Sequence, residues 1–181
     1  MTPPNPVNDP VIEALDLPAP FHLGIMVRDL DVGMREYGRA FGIREWRSRA
    51  ADSFRQPSLW HGEPLEGPGI KIAYSVGDMP FIELVQPTTD AEWTGSVFLR
   101  EHGEGVYHLG YWVDDIEATL DRARGLGLTV ELTSLTQPEP GQPIQGFAYV
   151  GPVGASGIRL EIISASGRER LLEWVRTGEF R

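Results

Sequence analysis

The strongest constraint on this chain is that it repeats itself. Residues 21–34 read FHLGIMVRDLDVGM and residues 107–120 read YHLGYWVDDIEATL, a shift of 86 residues (107 minus 21). From Phe21/Tyr107 to Leu30/Ile116, an aromatic residue, His, Leu, Gly, two apolar residues, Val, a polar residue, Asp and an aliphatic residue recur in order. Such self-similarity marks one supersecondary unit used twice, so each local reading has to hold in both copies.

Both copies open on a strand. Residues 21–27 and 106–113 are rich in β-branched and aromatic side chains. Alternation puts Phe21, Leu23, Ile25 and Val27 on one face and His22, Gly24 and Met26 on the other. In the second copy Tyr107, Leu109, Tyr111 and Val113 oppose His108, Gly110 and Trp112. The first set suits packing under a helix, and the histidine set faces elsewhere. A helix follows each strand. Asp29 and Asp115 are N-caps. Leu30, Met34, Tyr37 and Phe41, like Ile116, Leu120, Ala123 and Leu126, recur at helical spacing. Gly42 and Gly127 are the stops. Three strand-like segments come next in each copy: 44–50, 69–76 and 80–86, then 128–133, 144–151 and 157–164. Gly77-Asp78 and the stretch from Pro152 to Gly157 supply turns.

The reading is an α+β chain of two βαβββ repeats. An irregular arm spans 1–18, the first module 19–87, a linker 88–105, the second module 106–165, and a C-terminal helix and tail 166–181. A Gly/Pro-rich insertion at 52–68 interrupts the first module.

The last strand of each repeat carries a carboxylate inside an aliphatic run: Phe81-Ile82-Glu83-Leu84-Val85 and Arg159-Leu160-Glu161-Ile162-Ile163. A carboxylate buried there without a partner is costly. Alternation sets Glu83 and Glu161 opposite their aliphatic neighbours, on the face to which His22 and His108 point. Each repeat thus offers one imidazole and one carboxylate, a donor set suited to Zn, Mn, Co, Ni or Fe(II). The alternative is a His–Glu ion-pair network without metal. With no cysteine in the chain, thiolate ligands, disulfides and cysteine nucleophiles are excluded. By strand parity Lys71 and Arg159 share the metal-facing side, where they would bind an anionic substrate group or offset the carboxylates. His61 and His102 read as surface residues. Trp60, Trp93 and Phe98 read as packing under loops or as shaping a pocket mouth.

A net charge of -10 disfavours nucleic acid and anionic lipid as partners. The N-terminus MTPPNPVNDP lacks the basic and apolar regions of a secretion signal, and no apolar run approaches the ~20 residues of a membrane span, so the expectation is a cytoplasmic protein.

These residues resemble the vicinal oxygen chelate superfamily, which includes glyoxalase I, methylmalonyl-CoA epimerase, bleomycin-resistance proteins and extradiol dioxygenases. HLGIMVRDLD near the start, VGDMPFIELVQP at 76–87 and GEGVYHLGYWVDDIEATL at 103–120 carry the resemblance, the last two being closest to epimerases and their glyoxalase-like relatives. The resemblance implies a cupped mixed sheet around one divalent metal ion, with His22, Glu83, His108 and Glu161 as ligands and a homodimer as the assembly. It implies a metal-dependent isomerase, epimerase or lyase in which the cation stabilises an enediolate and Glu161 or Glu83 moves the proton on a small oxygen-chelating substrate. Trp112, Lys71 and Arg159 are the expected substrate contacts. Two alternatives stand beside it. One is an Fe(II) extradiol-type dioxygenase using His22, His108 and Glu161, against which Glu83 counts as a fourth ligand. The other is a non-enzymatic small-molecule binder of the resistance type.

Overall fold

The structure is a computed structural model that describes residues 11–51, 57–66, 68–154 and 157–179. Residues 1–10 of the expected arm, and 52–56 and 67 of the insertion, lie outside the described residues.

A helical turn α1 (Val11–Ala14) precedes the first repeat, which runs β1 (His22–Met26), α2 (Leu30–Phe41) and β2 (Trp46–Ala51). Asp29 caps α2 by accepting from Val32 N–H at 2.8 Å, and the helix stops at Gly42, whose φ of 72° suits glycine. The insertion forms a hairpin, β3 (Ser58–Trp60) and β4 (Glu63–Pro64), before β5 (Ile70–Ser75) and β6 (Phe81–Pro87) complete the repeat. The stretch expected to be a plain linker holds a helix, α3 (Thr94–His102). The second repeat is β7 (Gly105–Val113), α4 (Ile116–Gly125), β8 (Val130–Thr136), β9 (Gln145–Val153) and β10 (Ile158–Ser164), followed by α5 (Arg168–Thr177). Asp115 caps α4 from the same repeat position as Asp29.

All ten strands join one sheet in the order β2-β5-β6-β1-β7-β10-β9-β8-β3-β4. The halves meet where β1 lies antiparallel to β7, and within each half the first and last strands of the repeat are parallel (β1 with β6, β7 with β10). Parallel neighbours need a crossover, which α2 and α4 begin. These helices cover one face of the sheet. Ile25, Val27, Leu30, Ala73 and Leu84 pack under α2; Tyr111, Val113, Ile116, Leu120 and Leu160 are among those packed under α4.

The other face is concave. Its cluster draws on both halves, with Met26, Ile72, Tyr74 and Val85 from the first and Leu132 and Tyr149 from the second, and α5 adds Trp174 and Val175. Curvature also explains the hairpin's position. The chain leaves β2 at one edge of the sheet, and β3 then pairs with β8 beyond the opposite half (Leu59↔Thr133). The insertion therefore extends the far edge of the other repeat.

Two side chains depart from the expected alternation. Phe21 and Tyr107 both belong to the concave-face cluster, not to the helix-covered cores. The pairing of β1 with β7 slips between Gly24↔His108 and Ile25↔Val106, which leaves Tyr107 as an extra residue and turns it to the same side as His108. Phe21 lies just ahead of β1 and stacks on Trp112, ring centroids 4.2 Å apart.

Candidate metal centre

Alternation along β1 and β6, and along β7 and β10, carries His22, Glu83, His108 and Glu161 to the floor of the concave face, where all four are buried. His22 Nε2 is 2.9 Å from His108 Nε2, 2.9 Å from Glu161 Oε2 and 3.3 Å from Glu83 Oε2. His108 Nε2 is 3.0 Å from Glu83 Oε2 and 3.2 Å from Glu161 Oε2. Donors held 2.0–2.2 Å from one cation lie roughly 3–3.5 Å from each other. Glu161 Oε2 is close to both imidazoles yet accepts no well-aligned hydrogen bond. Among the described residues neither carboxylate has an Arg or Lys partner. Four donors aimed at one point, with two buried charges uncompensated by the protein's fixed cations, fit a divalent ion.

Each ring owes its position to the other repeat. An added Cβ at Gly24 would lie 2.0 Å from His108 Cε1, and one at Gly110 would lie 2.1 Å from His22 Cε1. The glycine of each His-Leu-Gly run is therefore the floor on which the partner repeat's histidine rests, a role the sequence reading missed. Phe21 and Tyr74 pack edge-on against His22; Tyr107 packs edge-on against His108, and Tyr149 lies beside it. The Nδ1 atoms of both rings are buried without a hydrogen-bond partner among the described residues, so packing sets the ring orientation.

The field at the site is strongly negative. Burial alone would lower the pKa of His108, but the close negative charges of Glu161 and Glu83, with the hydrogen bond to Glu83, outweigh it and push it up to about 9. Burial alone would raise Glu161, yet His108 and His22 hold its carboxyl well below the usual carboxylate range. Two tyrosines complete the symmetry: Tyr74 pairs with Glu83 across β5–β6, and Tyr149 pairs with Glu161 across β9–β10. Burial, then the charges of Glu83 and Glu161, raise the Tyr74 hydroxyl well above its ordinary value; burial and Glu161 do the same to Tyr149. Both stay protonated, and Tyr74 donates a hydrogen bond to Glu83.

The family model for the glyoxalase/bleomycin resistance protein/dioxygenase superfamily matches residues 21–149. The chain belongs to that superfamily. No curated protein sequence matches it. Among solved structures, methylmalonyl-CoA epimerase from Mycobacterium tuberculosis aligns with a TM-score of 0.54 at 21% identity, covering 82% of this chain and 88% of that one. A Streptomyces coelicolor methylmalonyl-CoA epimerase variant in complex with 2-nitronate-propionyl-CoA aligns with a TM-score of 0.54 at 20% identity, covering 82% and 94%. A methylmalonyl-CoA epimerase in complex with methylmalonyl-CoA and NH4+ aligns with a TM-score of 0.51 at 21% identity, again covering 82% and 94%. At these identities the likeness is one of fold. Among the described residues no helix is long and apolar enough to cross a membrane.

In this member of the superfamily the floor opens into a cavity of about 290 Å³. Trp112 lines it beside Glu83 and Glu161. Lys71 does not. In β5 the residues facing the cup are Ile72 and Tyr74, which sets Lys71 on the opposite face with Ala73, exposed. Arg159 does share the face of Glu161, but it is taken up two residues away. Its Nε lies 3.1 Å from Glu131 Oε2, its Nη2 lies 3.3 Å from Glu131 Oε1, and its Nη1 donates to Gly157 O at 2.7 Å. Thr94 donates to the same carboxylate, and Tyr107 donates to Thr94. Glu131 was not a sequence candidate. The register of β8 with β9 slips between Val130 and Leu132, and only that irregularity turns Glu131 inward. His61 and His102 are exposed, Trp93 lines the cavity, and Phe98 packs under α3 beside Tyr107.

Proposed function

We propose that this protein is a metal-dependent isomerase, epimerase or lyase that moves a proton on a small oxygen-chelating substrate. One observation supports this above the rest: two imidazoles and two carboxylates, 2.9–3.3 Å apart across the pairs given above and without a basic partner, form the floor of a largely apolar cavity.

A bound divalent cation supplies Lewis-acid polarisation of two adjacent substrate oxygens. The chain's own residues do the rest. Glu83 and Glu161 come from opposite repeats, so they approach a substrate at the floor from two sides. One carboxylate takes the proton from the carbon beside the polarised carbonyl, as general base, and the other can return one to the opposite face. Return to the same carbon by both routes gives an epimerase; delivery to a neighbouring atom gives an isomerase. Tyr74, which donates to Glu83, and Tyr149 are held protonated and do not compete as bases. Val85, Trp93, Phe147 and Ile163 on the walls exclude water, which strengthens each polar interaction inside.

The test is direct. Protein purified without chelator and titrated with Mn, Co, Ni, Zn or Fe(II) is expected to hold one equivalent. Loaded protein in D2O is expected to exchange the α-proton of a carbonyl acid or thioester, followed by NMR, and His108→Ala is expected to abolish both. Stoichiometric binding of a small molecule with neither metal nor exchange would instead indicate a binding protein.

A further inference from the structure

The residues that line the cavity say what kind of molecule it takes. Above the floor its walls are apolar and aromatic, from Ile72 and Val85 on the first repeat to Phe147 and Ile163 on the second, with Trp93 and Trp112 between. Among the described residues the acidic ones on the lining are Glu83 and Glu161, the two that a divalent ion would neutralise. The basic ones among the described residues are Arg49 and Arg170. Arg49 comes from β2, at the outer edge of the sheet, and its guanidinium carbon lies 5.5 Å from the centre of the Trp174 ring. Arg170 comes from the first turn of α5, the helix that also places Trp174 6.0 Å from Tyr74. In a chain of net charge -10, the two arginines balance Glu83 and Glu161 on the cavity lining, and would leave it net positive once a divalent ion neutralised the floor.

Size is the second observation. A volume of about 290 Å³ is at the lower end for ligand pockets. A coenzyme A moiety is too large to enter it whole. The wall contributed by α5, through Ser166, Gly167, Arg170 and Leu171, lies beyond residues 21–149, so it is not part of what the family match covers.

Resting on the functional reading above, we propose that the cup takes a compact, apolar-bodied carboxylate whose anionic group is held by Arg49 and Arg170, and not a coenzyme A thioester. Guanidinium groups suit this role because their planar fork matches a carboxylate and they stay charged at any working pH. The two arginines thereby determine specificity at the end of the cavity away from the metal floor.

The experiment compares 3-phenylpropionate with its methyl ester on the full-length, zinc-loaded protein, read by fluorescence of Trp93 and Trp112. The acid is expected to bind about tenfold or more tightly than the ester, the size of one charge-assisted hydrogen bond. In the Arg49→Met/Arg170→Met variant that ratio is expected to fall at least about fivefold, with zinc stoichiometry unchanged. Arg49→Lys/Arg170→Lys is expected to retain part of it, which controls for lost packing on Trp174. Propionyl-CoA is expected not to displace the acid. Equal binding of acid and ester, an unchanged ratio in the methionine variant, or displacement by propionyl-CoA would each overturn the proposal. Zinc content measured on the same samples separates the two readings. Failure to hold zinc or any of Mn, Co, Ni and Fe(II) overturns the metal-dependent function, whereas zinc-loaded protein without preference for the acid overturns only the ligand assignment.

Discussion

Two places on the concave face bury carboxylates to the same degree and treat them in opposite ways. Glu131 and Glu161 are both 7% exposed. Glu131 receives two contacts from the Arg159 guanidinium and one from Thr94, which in turn is held by Tyr107. Its charge is closed within the fold, under the cation–aromatic cover of Arg159 on Phe98 and Tyr107. Among the described residues the charged or chargeable groups that Glu161 and Glu83 meet are two imidazoles, with no Arg or Lys. Such a pair is balanced only if a proton or an added cation supplies the charge. The difference teaches how one sheet face can hold both a structural ion pair and a candidate metal centre: what separates them is whether the compensating charge is covalently part of the chain.

That contrast can be broken most sharply at its closed end. Glu131→Ala strands Arg159, and losing one partner of a buried pair is expected to cost about 3–5 kcal/mol, measured by urea unfolding. Glu131→Gln, which still accepts hydrogen bonds, is expected to cost less.

The open end should instead respond to pH. His108 has a folded pKa raised to about 9 against an ordinary 6.5, so in metal-free protein its contribution is fully present below pH 6.5 and is lost as pH rises through 9. The expected loss is on the order of 3 kcal/mol by linkage across that window. The depressed Glu161 carboxyl reports the same contact and is not counted again. Metal-loaded protein, whose histidines are neutral ligands, is expected to lack that decline when unfolding is followed from pH 6 to 9.5.

Metal itself is expected to raise stability by about 2.7 kcal/mol at a free concentration 100 times its Kd. Thermal unfolding with and without zinc checks this, and the shift is expected to vanish in His108→Ala and in Gly24→Ala, where a Cβ would enter the space of the His108 ring. The smallest effect is expected from Tyr74→Phe. Loss of the hydroxyl beside Glu83 is expected to change stability by about 1 kcal/mol while leaving zinc stoichiometry intact. A larger change there would mean that Tyr74 orients Glu83 rather than merely donating to it.

Much of this arrangement is legible along the chain because its causes are local. The aspartates at 29 and 115 cap helices through side chains that reach three residues on. The two-residue period of a strand sets His22 opposite Ile25, and Glu83 opposite Ile82 and Leu84, wherever the pairing is regular. Lys71 shows where such a count goes astray: the cup-facing parity of β5 follows from its pairing with β6, Tyr74 against Glu83, and not from its own sequence. Tyr107 and Glu131 fail for a related reason. Each sits at a slip between neighbouring strands, and a slip is a property of the pair.

The sequence by itself determined that there are two βαβββ copies, where their helices begin, and which residue types each copy offers as donors, because repeats, caps and alternation act over a few residues. Tertiary structure alone decided that the histidine of each copy rests on the glycine of the other, that Arg159 is tied to Glu131, that the insertion docks on the far edge, and that Arg49 and Arg170 face one cavity. Those outcomes depend on how the sheet curls and on long-range registers between strands, which no local pattern encodes.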